Sequence, residues 1–102
     1  MSLDIAILDA AGRIRESVSL GVDEHWGLVQ LANKLDCPLW WRLSEYYEDA
    51  EFGGNEIPAL LGEVVKLRSA VQEEPVAGRL EQLAQLLRLA AAERCGVSVI
   101  AD

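Results

Sequence analysis

The chain contains few of the residues from which catalytic and metal-binding sites are built. Among its 102 residues there are one histidine and two cysteines, and Cys37 and Cys95 lie far apart and form no CxxC pair. A structural zinc site needs four cysteine or histidine ligands at short characteristic spacings, so no metal site is predicted. No glycine-rich phosphate-binding motif is present either, and the sequence predicts no cofactor.

Two further absences bear on where the protein acts and what it binds. No apolar run approaches the ~20 residues that cross a bilayer, and the N-terminal segment MSLDIAILD has no basic residue, unlike a signal peptide. Lysine and arginine number 9 against 17 aspartates and glutamates, which gives a net charge of −8. Nucleic-acid phosphates and anionic lipids repel such a chain, so we expect it to bind neither. The N-terminal segment and the lack of a long apolar run lead us to expect a cytoplasmic protein.

The composition is that of one folded domain. Hydrophobic residues make up 51% of the chain and charged residues 25%, which is typical of a globular protein and not of a disordered one. The sequence contains no linker, repeat or low-complexity tract. We therefore predict a single domain that spans residues 1–102 and is built around one modest core.

Three strands are predicted, two near the start of the chain and one at its end. Residues 3–8 are rich in branched apolar side chains, residues 13–20 alternate between apolar and polar, and Gly12 suits the turn between them. Residues 97–101, Val-Ser-Val-Ile-Ala, have the composition of another strand. Because an isolated hairpin is only marginally stable, we expect this last strand to complete a three-stranded sheet.

About four helices are predicted between these strands. Apolar residues recur at helical spacing over residues 24–35, 38–48, 55–71 and 79–94. Asp23 and Asn55 are expected to cap the first and third helices, and Gly96 to end the fourth in a left-handed conformation. The predicted fold class is α+β, with an N-terminal hairpin, helices packed on one face of the sheet and a closing strand.

Residues 38–52, PLWWRLSEYYEDAEF, combine aromatic rings and acids more densely than any other segment. Spacings of about one helical turn predict core positions for Leu39, Trp40, Leu43 and Tyr47. The remaining aromatic residues of this segment are Trp41, Tyr46 and Phe52, and the core stripe does not need all three. Aromatic anchors inside a charged rim are typical of protein interfaces. We therefore predict a protein-binding surface made of Trp41, Glu45, Tyr46, Glu48, Asp49 and Glu51.

Other interpretations of these residues are open. The acidic run is also consistent with a merely solvated helix face, and the two cysteines with either small hydrophobic residues or a redox pair. His25 is expected to be an exposed first-turn residue. Alternatively, His25, Cys37 and Tyr46 are the polar groups of a pocket in a small enzyme or ligand-binding protein. Exposed aromatic side chains are also consistent with a homo-oligomer, such as a dimer.

Several short segments resemble a family of small acidic bacterial proteins to which no activity is assigned. They are the starting Ser-Leu-Asp-Ile, residues 17–22 with His25, residues 42–49 with Phe52, the late amphipathic helix and the closing Ile-Ala-Asp. In size, acidity and aromatic-acidic composition the chain is also similar to immunity proteins that neutralise bacterial toxins. This resemblance implies no catalytic residue. It implies a non-catalytic module that engages a basic protein partner, and charge complementarity would speed that association.

Overall fold

The computed structural model describes residues 3–43 and 49–101 and has the predicted α+β class. Within these residues the strands are β1 (Leu3–Leu8), β2 (Ile14–Leu20), β3 (Ala50–Phe52) and β4 (Val97–Ala101). The α-helices are α1 (Val22–Lys34), α2 (Ile57–Ala70) and α3 (Val76–Ala92), and two short 3-10 turns occupy Trp40–Leu43 and Gly54–Glu56. None of these helices is both long enough and apolar enough to pass through a bilayer.

The predicted N-terminal hairpin is confirmed, and its turn is held by one side chain. Gly12 has φ of 81°, a left-handed conformation that glycine adopts at little cost. The Asp9 carboxylate accepts hydrogen bonds from the backbone N–H groups of Ala11 and Arg13, both at 2.9 Å. A short polar side chain that bonds to backbone two residues further on is a common way to fix such a turn.

The sheet has four strands in the described residues, so the prediction of three was wrong. The strand order is β2-β1-β4-β3, and all neighbouring strands are antiparallel. The additional strand is β3, in which Phe52 pairs with Val97 and Ala50 with Val99. Three residues are too few to show the alternation that identifies a strand, so the sequence predicted no strand directly after the helix expected over residues 38–48.

The core lies between the helices and one face of this sheet. Because side chains alternate along a strand, the cross-strand partners Ile5, Val18 and Val99 share a face, and each is at most 7% exposed. Helix α3 packs against β1 and β2, and α2 packs against α3. On the opposite face Ser17 and Ser19 are exposed. The buried side chains of α1, α2 and α3 include Leu28, Leu60 and Leu80, so the helical spacing of apolar residues identified the buried side of these three helices.

The helix ends differ from the predictions in instructive ways. Helix α1 begins at Val22, and Glu24, not Asp23, completes its start, because the Glu24 carboxylate accepts a hydrogen bond from the Gly21 N–H at 2.9 Å. Its other oxygen accepts a 2.8 Å hydrogen bond from Arg79 Nε on α3. Asn55 does not cap α2 but lies inside the 3-10 turn that precedes it. One carboxylate, that of Glu24, thus caps the start of α1 and joins this helix to α3.

Two helices end with a residue other than glycine in the left-handed region. Asp36 after α1 has φ of 59° and Arg94 after α3 has φ of 56°. In each case the N–H of the next residue, Cys37 or Cys95, bonds to a carbonyl five positions back, at 2.9 and 3.0 Å. The expectation that Gly96 adopts this conformation was wrong. An added Cβ at Gly96 would lie 2.3 Å from the Phe52 carbonyl oxygen, so glycine is needed for close approach.

Candidate protein-binding site

The chain does not form an α-helix immediately after Pro38, as the spacing predicts, but a single 3-10 turn at Trp40–Leu43. In a 3-10 turn, residues three apart lie on the same side. Trp40 is 0% and Leu43 2% exposed, so the core positions predicted for both are confirmed. Leu39 packs against the core while partly exposed, and Tyr47 lies outside the described residues. The buried side chains of Trp40 and Leu43 thus hold the turn against the core.

A buried carboxylate holds the backbone of this turn in place. Glu63 on α2 is 9% exposed, and its two oxygens accept hydrogen bonds from Leu39 N–H at 3.0 Å and Trp40 N–H at 2.8 Å. Hydrogen bonds to a charged acceptor are stronger than those between neutral groups. In the sequence, Glu63 is only one of several acids within residues 43–65, a stretch that contains no basic residue, and nothing singles it out. Its role depends on the packing of α2 beside the turn, which no local pattern reveals.

The side chain of Trp41 points outward from this anchored turn. It is 52% exposed, although it lies between the fully buried Trp40 and Arg42, which is bound to neighbouring elements. A tryptophan carries a large apolar surface, so an exposed one offers a partner much area for contact. Trp26 is a second exposed tryptophan, at 45%, but it lies near the start of α1.

A cavity of about 270 Å³ adjoins Trp41 at the end of α1. Its walls combine one aromatic ring, one carboxylate and one amide with small apolar groups, contributed by Ala32, Asn33, Asp36, Cys37, Pro38 and Trp41. Sequence reasoning did not single out Asp36. A helix boundary before proline was visible in the sequence, but the positive φ that turns Asp36 toward this cavity was not.

Arg42 joins the turn to β3 and to the start of α2. Its guanidinium forms an ion pair with Glu56 and lies 5.2 Å from the centre of the Phe52 ring. The hydrogen bond between the two side chains raises the pKa of Arg42 and lowers the pKa of Glu56. Phe52 itself is 2% exposed, so it is one of the aromatic residues that the core does use. It belongs to the core under the guanidinium.

The predicted binding residues are only partly within the described structure. Trp41, Asp49 and Glu51 are exposed, whereas Glu45, Tyr46 and Glu48 lie outside the described residues. The Asp49 carboxylate accepts a hydrogen bond from Ala101 N–H at 2.8 Å, so it also fastens the end of β4. Trp41 and Glu51 line different cavities, the second of which lies along β3 and β4.

Two of the residues proposed for alternative chemistry, His25 and Cys37, are buried, and the third, Tyr46, lies outside the described residues. His25 is 0% exposed and its ring lies 5.3 Å from that of Trp26, so the expectation of an exposed histidine was wrong. Cys37 is buried, and this burial, followed by the charge of Glu63, raises the pKa of its thiol. Cys37 and Cys95 are both free thiols. A raised pKa disfavours the thiolate that redox chemistry requires.

Comparisons of this chain with protein-family models, with curated proteins and with solved structures found no match. By its fold and its candidate site, the chain is a small α+β domain with an exposed tryptophan, Trp41, on a turn whose backbone is held by Glu63.

Proposed function

We propose that this chain is a non-catalytic protein-binding module that engages a basic protein partner. The contact is made by the Trp41 surface, which comprises Trp41, Glu45, Tyr46, Glu48, Asp49 and Glu51. The observation that carries the proposal is the 52% exposure of Trp41 on a turn whose backbone is held by the buried Glu63. An exposed side chain on a fixed backbone loses little conformational freedom on binding, which favours affinity.

Charge supports a partner of opposite sign. The chain carries a net charge of −8, and Asp49 and Glu51 are exposed close to the Trp41 turn in the sequence. Long-range attraction accelerates the encounter with a basic protein, while the buried aromatic contact slows dissociation. The same acids would repel a second copy of the chain, which argues against a homo-oligomer formed through this surface.

An immunity-like role fits this proposal. A small acidic domain that covers a basic toxin would need neither a cofactor nor a catalytic group, only a complementary surface. The similarity in size, acidity and aromatic-acidic composition supports the role, and a cytoplasmic location is consistent with two free cysteines.

Capture from extracts of the source cells tests the proposed function. Immobilised wild-type protein is compared with Trp41→Ala and Glu51→Lys, using Trp26→Ala and Glu73→Lys as controls that make the same chemical changes at other exposed sites. We expect wild type and both controls to retain one basic protein. We expect Trp41→Ala to lose at least about thirtyfold of its affinity for it, because central aromatic anchors contribute about 2 kcal/mol or more.

Two outcomes would refute the proposal. One is retention of the same proteins by the wild type and all four variants. The other is the recovery of no basic protein by the wild type. Sedimentation at several concentrations separates the oligomer alternative, since self-association that Trp41→Ala abolishes would assign this surface to a second copy.

A further inference from the structure

The cavity beside Trp41 has walls suited to a particular kind of side chain. The indole of Trp41 supplies a flat aromatic face, Asp36 a carboxylate and Asn33 an amide, while Ala32 and Pro38 supply apolar contacts. Its volume of about 270 Å³ lies below the roughly 300–1,000 Å³ of pockets that take drug-sized ligands. One long amino-acid side chain is a better match to this space.

The electrostatics of the cavity favour a cation. None of the five ion pairs within residues 3–43 and 49–101 involves Asp36, and its side chain is exposed at the C-terminal, negative end of α1. Two cations lie in the same part of the chain, Lys34 in the last turn of α1 and Lys66, which donates to the Leu35 carbonyl at 3.0 Å. Neither of them lines the cavity, so among the described residues the Asp36 carboxylate is the one charged group in its wall.

We propose that this cavity receives an arginine side chain of the partner. A guanidinium is planar, stacks on an aromatic face and pairs with a carboxylate through two parallel N–H donors. Its three-carbon stem can pack against Pro38 and Ala32 while the charged end meets Asp36. The inference rests on the proposed function, and it adds the residue type that the basic partner must present.

A lysine side chain is less complementary than an arginine side chain to the walls of this cavity. Its ammonium is a compact and strongly hydrated charge that neither stacks on an indole nor forms a two-pronged contact with a carboxylate. We therefore expect arginine to be preferred over lysine, and an uncharged isostere of arginine to bind weakest. This order distinguishes a specific site from a general attraction of cations to an acidic protein.

Titration with short peptides, followed by NMR, tests the inference. The probes are blocked Gly-Arg-Gly, Gly-Lys-Gly and the same peptide with citrulline, which keeps the shape of arginine without its charge. We expect the arginine peptide to shift the Trp41 indole N–H and the Asn33 amide resonances at millimolar concentration, with the Trp26 indole unmoved. We expect Asp36→Asn to weaken this binding about three- to tenfold, and the matched Asp23→Asn to leave it unchanged.

Equal shifts with the arginine and citrulline peptides would overturn the inference, as would equal binding by wild type and Asp36→Asn. The capture experiment separates this failure from that of the proposed function. If Asp36→Asn retains the basic partner while Trp41→Ala loses it, the module still binds through its tryptophan and the arginine site is wrong. If neither variant affects capture, the proposed function fails as well.

Discussion

Gly96→Ala is expected to lower the free energy of unfolding by about 3 to 4 kcal/mol, a large part of the roughly 5–15 kcal/mol typical of a domain. The added Cβ would lie 2.3 Å from the Phe52 carbonyl oxygen and 3.3 Å from Gly53 Cα. Both neighbours are backbone atoms, which cannot rotate away. The only relief is to separate the start of β4 from the end of β3, and so to break the pairing of Phe52 with Val97.

Gly62→Ala is the matched control for this substitution. Gly62 lies inside α2, and an added Cβ there meets nothing within 4 Å. Because alanine is the better helix former, we expect this variant to gain about 0.5–1 kcal/mol. Urea unfolding of both variants measures the difference. A Gly96→Ala protein as stable as the wild type would mean that β3 does not approach β4 as described.

Glu63→Ala is expected to cost about 3 kcal/mol and to loosen the turn that carries Trp41. The substitution removes a charged acceptor from the N–H groups of Leu39 and Trp40 and leaves both without their partner beneath the surface. Native-state hydrogen exchange of these two amides should accelerate, whereas the amides of the hairpin should keep their protection. Binding by Trp41 should weaken too, because the side chain loses its fixed position.

Two variants make the Glu63 prediction specific. Glu63→Gln keeps one acceptor oxygen but presents an NH2 group to the second amide, so we expect an intermediate loss of stability. Glu81→Ala removes a glutamate from the exposed side of α3, where it pairs with Arg68 only at 3.6 Å, and should change stability by less than about 0.5 kcal/mol. Equal effects of Glu63→Ala and Glu81→Ala would show that the buried carboxylate does not hold the turn.

Local pattern was sufficient for the parts of the fold that repeat over many residues. The stripes of α2 and α3, the branched apolar run of β1 and the alternation of β2 are long enough to stand out. β3 is only three residues long, and the segment at Trp40 makes only one turn, so neither shows a period of its own. Their conformations follow from pairing with β4 and from the Glu63 carboxylate, which are contacts between distant parts of the chain.

The residues of the candidate site also divide into those that the sequence identified and those that it did not. Trp41 was identified from the sequence because the core stripe did not need it, and it is exposed. The sequence did not settle whether Phe52 is buried, because its burial depends on β3. His25 was misjudged because its position in the first turn of α1 faces inward. Asp36 was missed because left-handed caps usually contain glycine or asparagine. The burial of Phe52 thus comes from pairing with a strand remote in sequence, whereas Asp36 was missed because of its own backbone conformation.

The rates of association and dissociation with the captured basic protein test the central claim most directly. The wild type, Trp41→Ala, Trp26→Ala and Glu51→Lys are compared between about 50 and 500 mM salt. We expect the wild-type association rate to fall about tenfold or more as salt rises and to be lower for Glu51→Lys. We expect Trp41→Ala to act mainly by speeding dissociation. An association rate that is independent of salt, together with equal dissociation of Trp41→Ala and Trp26→Ala, would contradict the account.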